Sequence, residues 1–161
     1  MRYELSAAVK DEIEHWRARF PADRQRSAVI SALHAVQHEN HGYITAEQMN
    51  AVAEYLDLPT IQVYEVGTFY SMFQTREVGR NEVAICTNIS CMLRGADDIV
   101  DHVERKLGVK LGESTDDGRI FLKQEEECIA ACCGAPAMMV NYKYYENLTT
   151  EQVDEILDEL A

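Results

Sequence analysis

Two short stretches, "CTNISCMLRG" from Cys86 and "ECIAACCGAP" from Glu127, hold all five cysteines of the chain. Cys86 and Cys91 are spaced C-x4-C. Cys128 makes a C-x3-C with Cys132 and a C-x4-C with Cys133. Four thiolates are the set that holds a [2Fe–2S] cluster, and four thiolates also suit structural zinc. Zinc sites favour tighter C-x2-C knuckles, so these wider loops point to an iron–sulfur rhomb over zinc. Unligated core thiols are a poor reading, because the cysteines cluster in loops beside glycine and proline. Neighbouring side chains in extended or loop backbone point roughly opposite ways, so only one of Cys132 and Cys133 is expected to reach iron. Spacing alone does not choose between them.

Small residues surround the thiols: Ser90, Gly95, Ala130, Ala131, Gly134 and Ala135. They let backbone N–H groups approach sulfur closely, and such hydrogen bonds, with burial, tune a cluster's potential. Glu125, Glu126 and Glu127 stand directly before Cys128. They read as a solvated turn, or as charges that disfavour a reduced cluster or face a partner. Of the five histidines, His34, His38 and His41 share helical spacing, but no carboxylate-rich cleft accompanies them. His15, His102 and these three read as surface or half-buried residues. There is no G-x-G-x-x-G, no P-loop and no Ser/His/Asp pattern, so the chain shows no flavin or nicotinamide site of its own. The absence of a C-x-x-C argues against a dithiol oxidoreductase. A zinc-stabilised interaction domain is the alternative of another class, separable by the red-brown colour of an iron–sulfur protein.

These loops need a scaffold. The chain has 161 residues, 47% of them hydrophobic and 27% charged, enough for one ordinary domain or a domain with a small appendage. A net charge of −13 has the wrong sign for nucleic acid; it serves solubility or docking to a basic partner. No run approaches the roughly 20 apolar residues that span a bilayer. The N-terminus lacks the apolar core of a signal peptide. The chain reads as cytosolic, where cysteines serve metal or redox chemistry rather than disulfide frameworks.

The first half reads as helices. Val9, Ile13, Trp16 and Phe20 recur at helical spacing behind Ser6, a candidate N-cap, and Pro21 ends the run. Val29, Leu33 and Val36 mark a second helix that stops at Asn40-His41-Gly42. Thr45 with Gln48 forms a capping box for a third, with Met49, Val52, Ala53 and Leu56. A fourth follows Pro59, with Val63, Val66 and Phe69 or Tyr70. The aromatics of "GTFYSMF" are expected in the core more than at an interface. Near Gly79 the period changes. "NEVAICT" is a strand, Leu93 to Leu107 a helix, "GESTDDG" a turn, and "RIFLKQ" and "AMMVN" strands. "KYYENL" is a candidate third one, before a last helix capped by Thr149 and Gln152. This order predicts an α+β chain: a helical segment over residues 1–78, then a small mixed sheet flanked by helices over 79–161, as in thioredoxin-like folds.

The chain resembles the E subunits of bacterial NADH:quinone oxidoreductase (respiratory complex I), a family of thioredoxin-like [2Fe–2S] ferredoxins. The resemblance covers nearly the whole chain. It is carried by "GTFYSMF" from Gly67, "CTNISCMLRGADDI" from Cys86, "LGVKLGESTDDGRI" from Leu107, "ECIAACCGAPAMMVN" from Glu127 and "YYENLT" from Tyr144. It implies that Cys86, Cys91, Cys128 and Cys132 bind one [2Fe–2S] cluster. Cys132 is chosen because the family's ligand precedes the Ala-Pro dipeptide by three positions, as Cys132 precedes Ala135-Pro136. The family often has C-L-G-x-C where this chain has Cys128-Ile129-Ala130-Ala131-Cys132, so alanine replaces glycine and the loop is expected to carry some strain. The resemblance further implies an electron-transfer subunit whose FMN and NADH sit on a neighbouring NADH-oxidising subunit. Four short amphipathic helices cannot all bury their stripes in so small a sheet domain, so the helical segment is expected to dock that subunit. The chain would lie in the cytoplasm, peripheral to the inner face of the plasma membrane. The equivalent subunit of a soluble NAD-linked hydrogenase or formate dehydrogenase is the closest alternative.

Overall fold

A computed structural model describes residues 3–124 and 128–160. The chain divides into two compact units, Met1–Glu77 and Val78–Ala161. The first contains α1 (Ala7–Arg17), a 3-10 turn (Gln25–Ala28), α2 (Val29–Glu39), α3 (Ala46–Tyr55) and α4 (Thr60–Phe69). Ser6 caps α1, its hydroxyl accepting the Val9 N–H at 3.1 Å. The helix ends at Arg17, before Pro21, because the chain tightens: the Arg19 and Phe20 amides bond back to Trp16 and Arg17. Trp16 and Phe20 are therefore half-buried and not core. The Trp16 indole N–H donates to Glu12 at 2.7 Å, and the Arg19 guanidinium lies 4.8 Å from its ring centre.

Val9 and Ile13 pack with Ala32, Leu33, Val36, Ile44, Met49, Val52 and Val63 in one core. Burying each large aliphatic side chain there contributes about 1.5–3 kcal/mol. The Thr45–Gln48 capping box forms in both directions, at 2.8 and 3.3 Å. Gly67 of α4 is buried, and a Cβ there would meet the Met49 sulfur at 2.9 Å. The expected stripe of α4 fails at its end. Phe69 is 80% exposed and Tyr70 is exposed too, while Phe73, 6% exposed, takes the core place. Gln37 explains the switch. Its buried amide donates to the Met72 carbonyl at 2.9 Å and accepts the Gln74 N–H at 2.8 Å, which turns the chain after α4 so that Phe73 faces inward.

The second unit contains β1 (Asn81–Ile85), α5 (Ile89–Met92), α6 (Ala96–Leu107), β2 (Glu113–Ser114), β3 (Ile120–Lys123), β4 (Met138–Val140), β5 (Lys143–Tyr145) and α7 (Thr150–Glu159). The sheet order is β2-β3-β1-β4-β5. β1 and β3 run parallel, and every other neighbouring pair is antiparallel. The α+β reading, with a small mixed sheet and flanking helices, is what the fold shows. Two boundaries differ. The helix expected from Leu93 begins at Ala96, because Gly95 at φ 90° breaks it from α5. "GESTDDG" is not wholly a turn, since Glu113 and Ser114 pair with Leu122 and Phe121 as an edge strand.

One sheet face presents Val83, Ile85, Ile120, Leu122, Met138 and Val140 to Ile99, Val100 and Val103 of α6 and Val153 and Leu157 of α7. The Arg119 guanidinium donates to the Leu157 and Leu160 carbonyls at 3.0 and 3.1 Å, closing the end of α7. Gly79 leads into β1, where a Cβ would lie 2.5 Å from the Ile120 carbonyl carbon. Only glycine lets the chain enter beside β3. No helix among the described residues is long and apolar enough to cross a membrane.

Candidate iron–sulfur site

Because β1 and β3 are parallel, their C-terminal ends lie at the same end of the sheet. Cys86 directly follows β1, and the chain that leaves β3 reaches Cys128. β4 runs antiparallel to β1, so the segment entering it starts at that end as well, and the Cys86 N–H donates to the Ala137 carbonyl at 3.1 Å. Topology therefore brings both thiol loops to one place, which spacing in the sequence could not do.

The thiols form two unlike pairs. Cys86 and Cys91 are 1% and 2% exposed. They pack with Ala96, Ile129, Ala131, Ala135 and Ala137. Ile129 and Ala131 belong to the Cys128–Cys132 loop, so the second loop roofs the first pair. Burial pushes the Cys91 thiol up; a backbone hydrogen bond at Ala137 opposes this, and the nearby Cys86 and Cys128 add to it. Cys128 and Cys132, in contrast, are exposed, and their sulfurs touch at 3.3 Å. The Ala130 N–H donates to the Cys128 sulfur at 3.4 Å.

Cys132 opens a 3-10 turn, Cys132–Gly134, and Cys133 in that turn is also exposed. Glu125, Glu126 and Glu127 lie outside the described residues. His34 is half-buried, packs 4.9 Å from the Phe73 ring centre, and is made less basic by burial.

Two residues of the motif "YYENLT" support the thiol turn, a role that spacing did not signal. The Asn147 N–H donates to the Gly134 carbonyl at 2.6 Å, and the Leu148 N–H to the Pro136 carbonyl at 3.0 Å. Any side chain at Gly134 would run into Glu146. The hairpin and the turn thus fit only while residue 134 is glycine.

The donor set fits a [2Fe–2S] cluster, in which the four cysteines divide two to each iron.

Ala130 sits at φ 64°, left-handed backbone, at the position where glycine is the easier residue. For a residue with a Cβ this conformation costs about 1–2 kcal/mol, while the freedom glycine gains in the unfolded chain gives back about 0.4–1 kcal/mol. Ala130→Gly is therefore expected to stabilise the chain by about 0.5–1 kcal/mol, read as a higher urea midpoint at unchanged slope. A lower midpoint would show that the alanine methyl contributes packing that outweighs the strain.

The family model for the thioredoxin-like [2Fe-2S] ferredoxin matches residues 13–161. The E subunit of NADH-quinone oxidoreductase from Rickettsia felis is 40% identical over 143 residues, 89% of this chain and 85% of that one. The protein of the same name from Rickettsia conorii is 42% identical over 142 residues, 88% and 84% of the two chains. NADH dehydrogenase [ubiquinone] flavoprotein 2, mitochondrial, of Dictyostelium discoideum is 36% identical over 149 residues, 92% of this chain and 60% of that protein. Among solved structures, NAD+-reducing [NiFe]-hydrogenase in the air-oxidized state matches with a TM-score of 0.70 at 20% identity. That match covers 81% of this chain and 22% of the hydrogenase chain, and it speaks for the fold alone. With a sheet that gathers two thiol pairs at one end, and with relatives that align over most of its length, this chain belongs to the thioredoxin-like [2Fe–2S] ferredoxin family.

Proposed function

We propose that this chain is the electron-transfer subunit of an NADH:quinone oxidoreductase, with Cys86, Cys91, Cys128 and Cys132 as the ligands of one [2Fe–2S] cluster. The observation that carries the reading is the pairing of thiols at the shared end of β1 and β3. A bound [2Fe–2S] cluster takes up and returns one electron at a time. The chain supplies position and electrostatics. Alanines and Ile129 keep water from Cys86 and Cys91. Backbone N–H groups of Ala130 and Ala137 lie against sulfur. The charge of −13 and all-thiolate ligation hold the potential near about −400 mV or lower, the plant-type range.

The partner is the flavin-bearing, NADH-oxidising subunit, which holds FMN and binds NADH. Residues 1–78 serve as its docking segment and 79–161 as the cluster domain. Ile89, Met92 and Leu93, all exposed, flank the buried Cys91 and give the partner an apolar rim to cover, which shuts water from the electron path. The assembled enzyme carries the chain to the cytoplasmic face of the plasma membrane.

Anaerobic purification with iron, sulfide and zinc analysis tests this reading. The expected result is a red-brown protein with about two irons and two sulfides per chain and an EPR signal after strong reduction. Stoichiometric zinc without iron would overturn it. Calorimetry with NADH is expected to give no binding to the isolated chain, which has no dinucleotide fingerprint. Micromolar binding would move the nicotinamide site onto this subunit.

A further inference from the structure

The two thiol pairs differ in a way that matters before any cluster arrives. Cys86 and Cys91 are sealed beneath Ile129 and Ala131. Cys128 and Cys132 stand in the open with their sulfurs 3.3 Å apart. A disulfide needs about 2.05 Å between sulfurs, so bond formation asks for little more than an ångström of movement in one exposed loop.

We propose that Cys128 and Cys132 form a thiol–disulfide exchange site in the cluster-free chain, that its substrates are low-molecular-weight disulfides such as oxidised glutathione, and that the oxidised loop cannot receive iron. The last clause rests on the proposed ligand set. The step balances. One thiolate of the pair attacks a sulfur of glutathione disulfide, forming a mixed disulfide and releasing one glutathione thiolate. The second thiol, already in contact, attacks the protein sulfur of that mixed disulfide and releases the other glutathione. Two cysteine thiols are oxidised, one glutathione disulfide is reduced to two thiols, and both cysteine protons pass to the released glutathiones or to water.

Burial keeps Cys86 and Cys91 out of this exchange, since reaction needs an accessible thiolate. Cys133 is exposed, but no thiol contact to it is seen among the described residues. A mixed disulfide formed there is not resolved internally, and glutathione stays attached. Metal ligation needs thiolates, so a closed Cys128–Cys132 bond removes half of the donor set. It also shields the two exposed ligands from irreversible oxidation, and a dithiol reductant reopens the site.

The test uses the full-length, cluster-free chain, treated anaerobically with oxidised glutathione under native conditions, then alkylated and mapped by mass spectrometry. The expected products are a Cys128–Cys132 disulfide, glutathione on Cys133, and Cys86 and Cys91 that alkylate only after denaturation. Ferrous iron and sulfide should fail to build a cluster on this material and succeed after dithiothreitol. Cys133→Ser should still close the loop, whereas Cys132→Ser should hold glutathione on Cys128. A Cys86–Cys91 bond, a scrambled mixture of all five cysteines, or an oxidised chain that still takes up iron would overturn the proposal. If the loop disulfide forms as expected but the reduced chain takes up no iron, the exchange site stands, the proposed block on iron entry falls, and the cluster function itself is refuted.

Discussion

Cys132→Ser is expected to abolish the native [2Fe–2S] spectrum, while Cys133→Ala leaves the visible and EPR spectra unchanged. Both thiols are exposed and lie in one 3-10 turn, so neither burial nor spacing separates them. Contact does: the Cys132 sulfur touches that of Cys128 at 3.3 Å. A paired donor can share an iron with its neighbour, as two-plus-two ligation demands. Cys133→Ala removes only an exposed thiol and keeps the turn that the Asn147–Gly134 hydrogen bond fixes. Serine at residue 132 can still reach iron through oxygen, so a shifted spectrum counts as loss of the native site. The measurement is iron content with visible and EPR spectra of the two variants, purified side by side. The reverse pattern, with Cys133→Ala bleaching the protein and Cys132→Ser harmless, would show that the second ligand lies one residue further along.

Much of this fold was readable where the cause is local. The capping boxes Thr45–Gln48 and Thr149–Gln152 are four-residue events, and both form as the sequence predicts. The β-branched residues of "NEVAI" and the apolar run in "RIFL" mark β1 and β3 for the same reason. What could not be read depends on distant partners. Glu113 and Ser114 are polar and make a strand only because β3 offers an edge. Phe69 and Phe73 look equally fit for a core, and the choice falls to Gln37, more than thirty residues upstream. At the site, cysteine types and loops are plain in the sequence. The division into one buried and one exposed pair is not, because it follows from Ile129 and Ala131 folding over the ends of other strands.

A truncated chain beginning at Arg76 is expected to keep its cluster and lose its complex with the flavin-bearing subunit. Sequence pattern alone suggests that four short amphipathic helices cannot all hide their stripes against so small a sheet domain, leaving apolar surface for a partner. In the structure the helices instead bury their stripes in a core of their own, built on Ile13, Leu33, Val36 and Val52. The sheet unit has a separate core on Val83, Ile120, Leu122 and Val153. All five cysteines and the contacts that seat them belong to the second unit. Starting at Arg76 also leaves the Gly79 N–H free of terminal charge, so its 3.0 Å bond to Ser114 persists. What the helical unit leaves uncovered is an apolar set on and just after α4: Ile61, Phe69 and Tyr70, with the last two rings in edge contact 5.0 Å between centres. The exposed Phe69–Tyr70 pair is the apolar surface that a docking partner is expected to cover. Co-purification with the flavin-bearing subunit reads the outcome, with iron content as the control for folding. Loss of the complex at full iron content is the expected result, and Phe69→Asp in the full-length chain should weaken it at least tenfold. If the truncated chain co-purifies at normal yield, the apolar rim of Ile89, Met92 and Leu93 carries the docking, and the helical unit serves something else.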